Sequence, residues 1–155
     1  MNRSTTDRDR SELARRATDA LDRICGAADR ELDRHAGGYG ISDAKLAVLE
    51  VLCDREERCA CLHALGSELR VTRPNVTKLV DGLERGGLVE RIPHPGDRRM
   101  VQAQVTPEGL ALAERAVPGR RELLSRIWDA LDDDELARLV ALLDAAADRA
   151  GVGAP

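Results

Sequence analysis

Phenylalanine is absent from this chain of 155 residues, and tryptophan and tyrosine occur once each. Proteins that hold RNA or single-stranded DNA usually stack bases on aromatic rings, so this scarcity argues against both ligands. No apolar run is long enough for a membrane span, and the amino-terminal MNRSTTDRDRSE does not read as a signal peptide. A cytoplasmic protein with no membrane partner is expected. In that compartment the four cysteines should be reduced thiols, which excludes a disulfide framework. An excess of basic charge is missing too. The chain has 24 basic and 28 acidic residues and a net charge of −4, which at first sight does not suit a nucleic-acid binder.

The distribution of charge says more than its total. Residues 62–105 hold seven Arg or Lys and five Asp or Glu, a local charge of +2 that leaves −6 for the remainder. A basic segment between acidic ends would admit DNA from one face and repel it elsewhere. The length suits about one domain, and an apolar fraction of 43% is ample for a core.

Within that basic segment, Thr72–Thr106 reads as a helix followed by a two-stranded ribbon. Thr72 is a good N-cap, and Pro74 falls in the first turn, where its missing N–H is not needed. Val76, Leu79, Val80 and Leu83 then form one apolar stripe, and Gly86-Gly87 ends the helix. Arg73, Pro74, Asn75, Thr77, Lys78 and Asp81 lie away from that stripe. Arg pairs with guanine, Asn with adenine, and Thr and Lys suit phosphates or base edges. Taken alone, the helix fits an ordinary amphipathic surface helix equally well. Leu88–Pro93 makes the first strand of the ribbon, and the alternation of Val101, Ala103 and Val105 with Gln102 and Gln104 makes the second. The tip between them, His94 to Arg99, would hold Arg98 and Arg99 far from any core. Asp97 can hold one of these guanidinium groups in place, and a narrow minor groove attracts inserted Arg.

Four segments extend the pattern in order: ISDAKLAVLEVL, LHALGSELRVTRPNVTKLVDGLERGGLVER, GDRRMVQAQVTPEG and LDDDELARLVALL. Together, from about Ile41 to Leu143, they resemble the MarR (multiple-antibiotic-resistance regulator) family of winged helix-turn-helix transcription factors. The resemblance implies a mainly α fold with a small β-wing, a winged helix-turn-helix carrying N- and C-terminal dimerisation helices. It implies a homodimer, each subunit reading half of a near-palindromic operator in double-stranded DNA. Arg73, Asn75, Thr77 and Lys78 would then face the major groove or its phosphates. Arg99 would enter the minor groove, with Asp97 supporting it and Arg98 beside it. Gly66 and Arg70 depart from the family pattern, which usually carries Ala and Gly there. Gly66 lowers helix propensity, and Arg70 gives up an easy left-handed residue while offering a phosphate contact.

Outside the reading segment, Leu13, Ala17, Leu21, Ile24, Cys25, Ala28 and Leu32 form a helical stripe from about Ser11 to His35. Ser42 is an N-cap candidate for a helix ending near Leu52. Thr106-Pro107 opens another helix, which Pro118-Gly119 should kink or break. Asp132 with Glu135 reads as a capping box ahead of Leu136, Leu139, Val140 and Leu143. The first and last helices are remote from the winged core, and a second subunit is the simplest cover for their stripes. This divides one intertwined domain into residues 1–40 and 111–155 for dimerisation and 41–110 for DNA.

A repressor released by a small-molecule effector or by oxidation is expected. Cys25 lies in the helix where thiol-sensing members of the family carry a reactive cysteine, though a small buried residue on an apolar stripe reads as well. His35, Tyr39 and Trp128 are candidates for lining a ligand pocket, or for ordinary interface residues. Cys53, Cys59, Cys61 and His63 cluster, but C-x5-C-x-C-x-H matches no usual zinc spacing, so no metal and no cofactor are assigned. Cys59 and Cys61 would share one face of a short strand, turned toward the core. A cysteine-dependent enzyme is the remaining alternative. It would have to work with three histidines, one of them at the ribbon tip, and no oxyanion hole or phosphate loop.

Overall fold

A computed structural model describes residues 3–151, with the backbone alone for residues 3–7 and 97–99. Six helices and three strands occur among the described residues. They are α1 (Arg3–Gly37), α2 (Asp43–Cys53), β1 (Cys59–Cys61), α3 (Leu62–Leu69), α4 (Arg73–Arg85), β2 (Val89–His94), β3 (Asp97–Val105), α5 (Pro107–Arg126) and α6 (Asp133–Arg149). The strands form one antiparallel sheet in the order β1-β3-β2, with Ala60 opposite Ala103 and Val89 opposite Val105. This is a mainly α fold with a small β-wing.

The core lies where α2, α3 and α4 meet the sheet. Leu46, Leu49 and Leu52 of α2, Leu65 of α3, and Val76, Val80 and Leu83 of α4 are wholly buried. Each such side chain contributes about 1.5–3 kcal/mol by leaving water. Ala36 of α1 and Ala113, Ala116 and Val117 of α5 complete the cluster, so both flanking helices reach the core. Contact with α5 also depends on Gly109. A Cβ there would sit 2.0 Å from the Leu88 carbonyl oxygen, so only glycine lets α5 start against the turn that leads from α4 into β2. Thr106 fixes the same junction. Its hydroxyl accepts from the Gly109 N–H at 3.0 Å and donates to the Gly87 carbonyl at 2.7 Å.

Several sequence expectations change. Helix α1 begins earlier than its apolar stripe, and its exposed length carries Glu12–Arg15 and Arg15–Asp19 ion pairs at helical spacing. Ser42 holds the N-cap position of α2 without a side-chain bond; Asp33 of α1 accepts from the Asp43 N–H instead, at 3.1 Å. Helix α5 passes through Pro118 unbroken. The carbonyl at Glu114, deprived of a partner by Pro118, lies on an exposed residue where water can serve it. Strand β2 runs one residue past Pro93, and a register shift follows it. The tip is narrower than expected: His94 pairs with Asp97, leaving Pro95-Gly96 as the turn and placing 97–99 in β3. Val101 is exposed, so only Ala103 and Val105 of the expected alternation are buried.

Candidate nucleic-acid interface

The turn between α3 and α4 is tight, and two residues make it so. Arg70 adopts the left-handed conformation at φ 53°, ψ 39° and caps α3, with its N–H donating to the Ser67 carbonyl. The Val71 N–H donates to the Gly66 carbonyl at 3.0 Å. A Cβ on Gly66 would stand 3.2 Å from the Val71 oxygen and 3.3 Å from Val76, so glycine admits the chain here with the least crowding. The two departures from the family pattern thus fall on one turn. Gly66 relaxes the crowding there, while Arg70 carries the conformational strain.

Helix α4 leaves this turn with its first residues in solvent. Arg73, Pro74, Asn75 and Lys78 are exposed, and Thr77 is half-buried. Thr72 occupies the N-cap position, but its hydroxyl makes no capping bond, contrary to the sequence expectation. No acidic residue occurs in the first turn of α4. The positive end of the helix dipole and its free N–H groups are therefore left unneutralised beside two cations. Thr77 donates its hydroxyl back to the Arg73 carbonyl at 3.0 Å, which ties it to its own helix.

The cations of this region fall into two sets. Arg91 of β2 bonds Asp81 at 2.5 Å and also Glu84, so it fastens the wing to α4 and offsets both acids. Arg70, Arg73, Lys78 and Arg85 form no ion pair among the described residues. Asp97, Arg98 and Arg99 belong to β3, and their side chains lie outside the described part of the structure.

The thiols are scattered. Cys53 ends α2, where burial and neighbouring acids push its thiol pKa up against the opposing pull of Arg58. Cys59 and Cys61 flank the buried Ala60 and so share the face opposite the core, not the core face expected from their spacing. Burial, then Glu57 and Cys61, push the Cys59 thiol up. No three His, Cys, Asp or Glu side chains gather into a metal site among the described residues. Cys25 is exposed in the single chain rather than buried. It lies one heptad before the buried Leu32 and therefore on the same side of α1.

His35 and Tyr39 come together, whereas Trp128 does not join them. The rings of His35 and Tyr39 meet edge to face at 5.3 Å between centroids. His35 Nε2 lies 2.7 Å from the Ala116 carbonyl oxygen, and the Tyr39 hydroxyl donates to the Arg115 carbonyl at 3.0 Å. These bonds join the end of α1 to α5. Trp128 follows α5, half-buried. A hollow of about 510 Å³ lies instead between α1 and the end of α5, walled by Ile24, Ala28, Leu32, Leu123 and Ile127 with Arg23 and Arg126 beside them.

One network had no signal in sequence periodicity. Arg120 of α5 bonds both Asp43 and Glu50 of α2 at 2.7 Å, and Arg121 bonds Glu50 and Asp54. Side-chain exposures of 14–19% for Arg120, Asp43 and Glu50 make this a largely enclosed charge cluster. It ties the helix after the wing to the first helix of the core.

Comparison with known proteins places this geometry. A family model described as MarR family matches residues 39–100. The HTH-type transcriptional repressor YetL of Bacillus subtilis is 30% identical over 112 residues, which cover 72% of this chain and 67% of YetL. The chain belongs to the MarR family. Among solved structures, the MarR family regulator AbsC of Streptomyces coelicolor shares the fold at a TM-score of 0.80 and 19% identity, covering 87% of this chain and 92% of AbsC. A mutant MarR from E. coli complexed with operator DNA is similar at a TM-score of 0.71 and 27% identity, covering 83% and 91%. This MarR family member is accordingly a transcriptional regulator that binds DNA; its relatives are regulators, not enzymes.

Proposed function

We propose that the protein is a homodimeric, sequence-specific repressor that reads a near-palindromic duplex with one α4 and one wing from each subunit. The exposed N-terminal end of α4 carries this reading. It presents Arg73, Asn75 and Lys78 outward on a helix whose first turn contains no acid. Arg73 and Asn75 suit base edges, Lys78 and the half-buried Thr77 suit phosphates, and Thr72, Pro74 and Arg70 shape the approach. Arg99, with Arg98 and Asp97 at the wing, is assigned to the minor groove by family analogy.

Dimerisation is supported by the terminal helices. Helix α6 buries none of its residues, although Leu136, Leu139, Val140 and Leu143 line one side of it. A second subunit would cover that stripe and the outer part of α1, and would enclose Cys25. Residues 1–40 and 111–155 would then serve dimerisation and 41–110 DNA binding. Release by a small lipophilic ligand is favoured over oxidation of Cys25, because the hollow between α1 and α5 is lined mostly by apolar side chains.

The test is a fluorescence-anisotropy titration with duplex DNA from upstream of the protein's own gene, alongside sedimentation. Binding of one dimer to an inverted repeat, weakening steeply with salt, is the expected result. Equal affinity for random duplex would remove the sequence-specific part of the reading, and a monomer at binding concentrations would remove the two-fold part.

A further inference from the structure

Two thiols share one face of a sheet-edge strand close to the exposed end of α4. Strand β1 lies at one edge of the sheet and alternates Cys59, buried Ala60 and Cys61. Both thiols are free and half-buried. Cys59 Sγ lies 3.9 Å from Oε1 of Gln102, and Gln102 is the residue directly across from Cys61. Cys59 Sγ also lies 3.9 Å from Oε2 of Glu57, so this thiol sits between two acceptors on the face it shares with Cys61. Cys61 in turn opens into a hollow of about 330 Å³ whose walls include His63, Met100, Arg73 and Thr77. Cys61 thus stands beside two residues of the proposed reading surface.

We propose that Cys59 and Cys61 together bind one soft, two-coordinate metal cation of the copper(I) or silver(I) type, and that loading this site weakens DNA binding through Arg73. Thiolates select soft cations, and the absence of a third gathered ligand among the described residues disfavours tetrahedral zinc. Same-face residues of a strand are separated by about 6.6 Å along it. A disulfide most often holds two Cα atoms about 5.5–6 Å apart, so it would have to shorten β1 slightly. Two metal–sulfur bonds of ~2.3 Å each bridge a wider gap and leave the strand straight. A soft cation displaces the thiol protons as it binds.

The step balances without redox chemistry. Two S–H bonds break, two protons go to solvent, two metal–sulfur bonds form, and a neutral pair of thiols becomes a complex of charge −1. That charge appears in the wall that Arg73 shares. A guanidinium drawn to it is no longer available to DNA, so affinity should fall and the salt slope should flatten by about one unit. This second part rests on the proposed DNA role of Arg73; the metal site itself does not.

The test uses the full chain under anaerobic conditions, titrated with copper(I) against a chromogenic chelator. One copper per chain is expected, with a thiolate–copper charge-transfer band. Cys59→Ser and Cys61→Ser should each weaken binding about 100-fold or more, while Cys25→Ser and Cys53→Ser leave it unchanged. X-ray absorption of the loaded native protein should show two sulfur neighbours, which guards against a misfolded variant giving the same loss. Copper retained by the Cys59→Ser/Cys61→Ser double variant, preferential binding of zinc, or oxygen and nitrogen neighbours would overturn the site. Unchanged DNA affinity and salt slope with copper bound would overturn the regulatory half. An apo protein that fails to bind DNA would count against the DNA reading and leave the metal titration standing.

Discussion

Helices α4 and α6 carry similar apolar stripes and meet opposite fates. Val76, Val80 and Leu83 of α4 lose all contact with water, whereas no residue of α6 is buried and Val140 of its stripe is 50% exposed. Their polar ends are reversed as well. Helix α6 starts with three acids and a complete capping box, Asp132 and Glu135 bonding each other's backbone N–H groups. Helix α4 starts without an acid and without a side-chain cap. Local chemistry stabilises α6, while α4 relies on the core behind it and keeps its end free for an anion. A stripe in a sequence thus says that a face needs cover, and not which chain supplies it.

The largest expected effect tests that contrast directly. Leu83→Ala should cost about 2–5 kcal/mol in urea denaturation, because it opens a cavity among wholly buried neighbours. Leu139→Glu on α6 should instead act on association, moving the sedimenting species from dimer to monomer while the α4 region keeps its fold. If Leu139→Glu unfolds a chain that remains monomeric, the stripe of α6 belongs to its own subunit and the contrast fails.

A smaller loss is expected where the two regions are joined. Arg120→Ala leaves Asp43 and Glu50 enclosed with fewer donors, a loss of about 1.5–3 kcal/mol by thermal or urea unfolding. Arg15→Ala, in an exposed pair on α1, serves as the control and should leave stability unchanged within the error of the same unfolding experiment. Equal effects would mean that the α2–α5 cluster is a surface network despite its enclosure.

What the sequence disclosed follows from the range of the interactions. The stripe of α4, the Gly86-Gly87 stop and the Asp132–Glu135 box are local patterns and could be read directly. Gly109 was legible as part of a motif, yet its reason, the Leu88 carbonyl at its α-carbon, appears only when α5 starts against the turn that leads into β2. Asp33 capping α2, and Arg120 bridging Asp43 to Glu50, join residues far apart in sequence and left no periodic trace. Pro118 misled because its usual effect is to break a helix, while tertiary contacts of Ala116 and Val117 hold α5 together around it. Around the candidate site, the exposure of Arg73, Asn75 and Lys78 follows from their place off the apolar stripe of α4. Cys25 and Val101 are exposed although each sits on an apolar stripe, because this chain alone leaves that face uncovered.

DNA contacts come next in size. Arg99→Ala at the wing and Arg73→Ala on α4 should each cost about 1–3 kcal/mol on a preferred operator and much less on random duplex. Anisotropy at two salt concentrations separates the roles. A loss confined to the operator marks a base or groove reader, and a uniform loss with a flatter salt slope marks a phosphate contact. An Arg99→Ala protein with native operator affinity would remove the wing from the reading surface and leave α4 alone.

The smallest effect is the most diagnostic of how folding and reading share one turn. Arg70 holds a left-handed backbone at φ 53°, where a side chain costs about 1–2 kcal/mol relative to glycine. Arg70→Gly removes that strain but gives the unfolded chain more freedom, so the net gain in stability should be about 0.5–1 kcal/mol, seen as a modest rise in the melting temperature. If the exposed guanidinium also meets a phosphate, the same variant should bind every duplex more weakly, with a salt slope reduced by about one. Stability up with DNA affinity down would show that the arginine is kept at this turn for the nucleic acid and against the preference of the backbone. Stability up with affinity unchanged would leave the strain without a functional counterpart and restrict the reading surface to residues beyond Thr72.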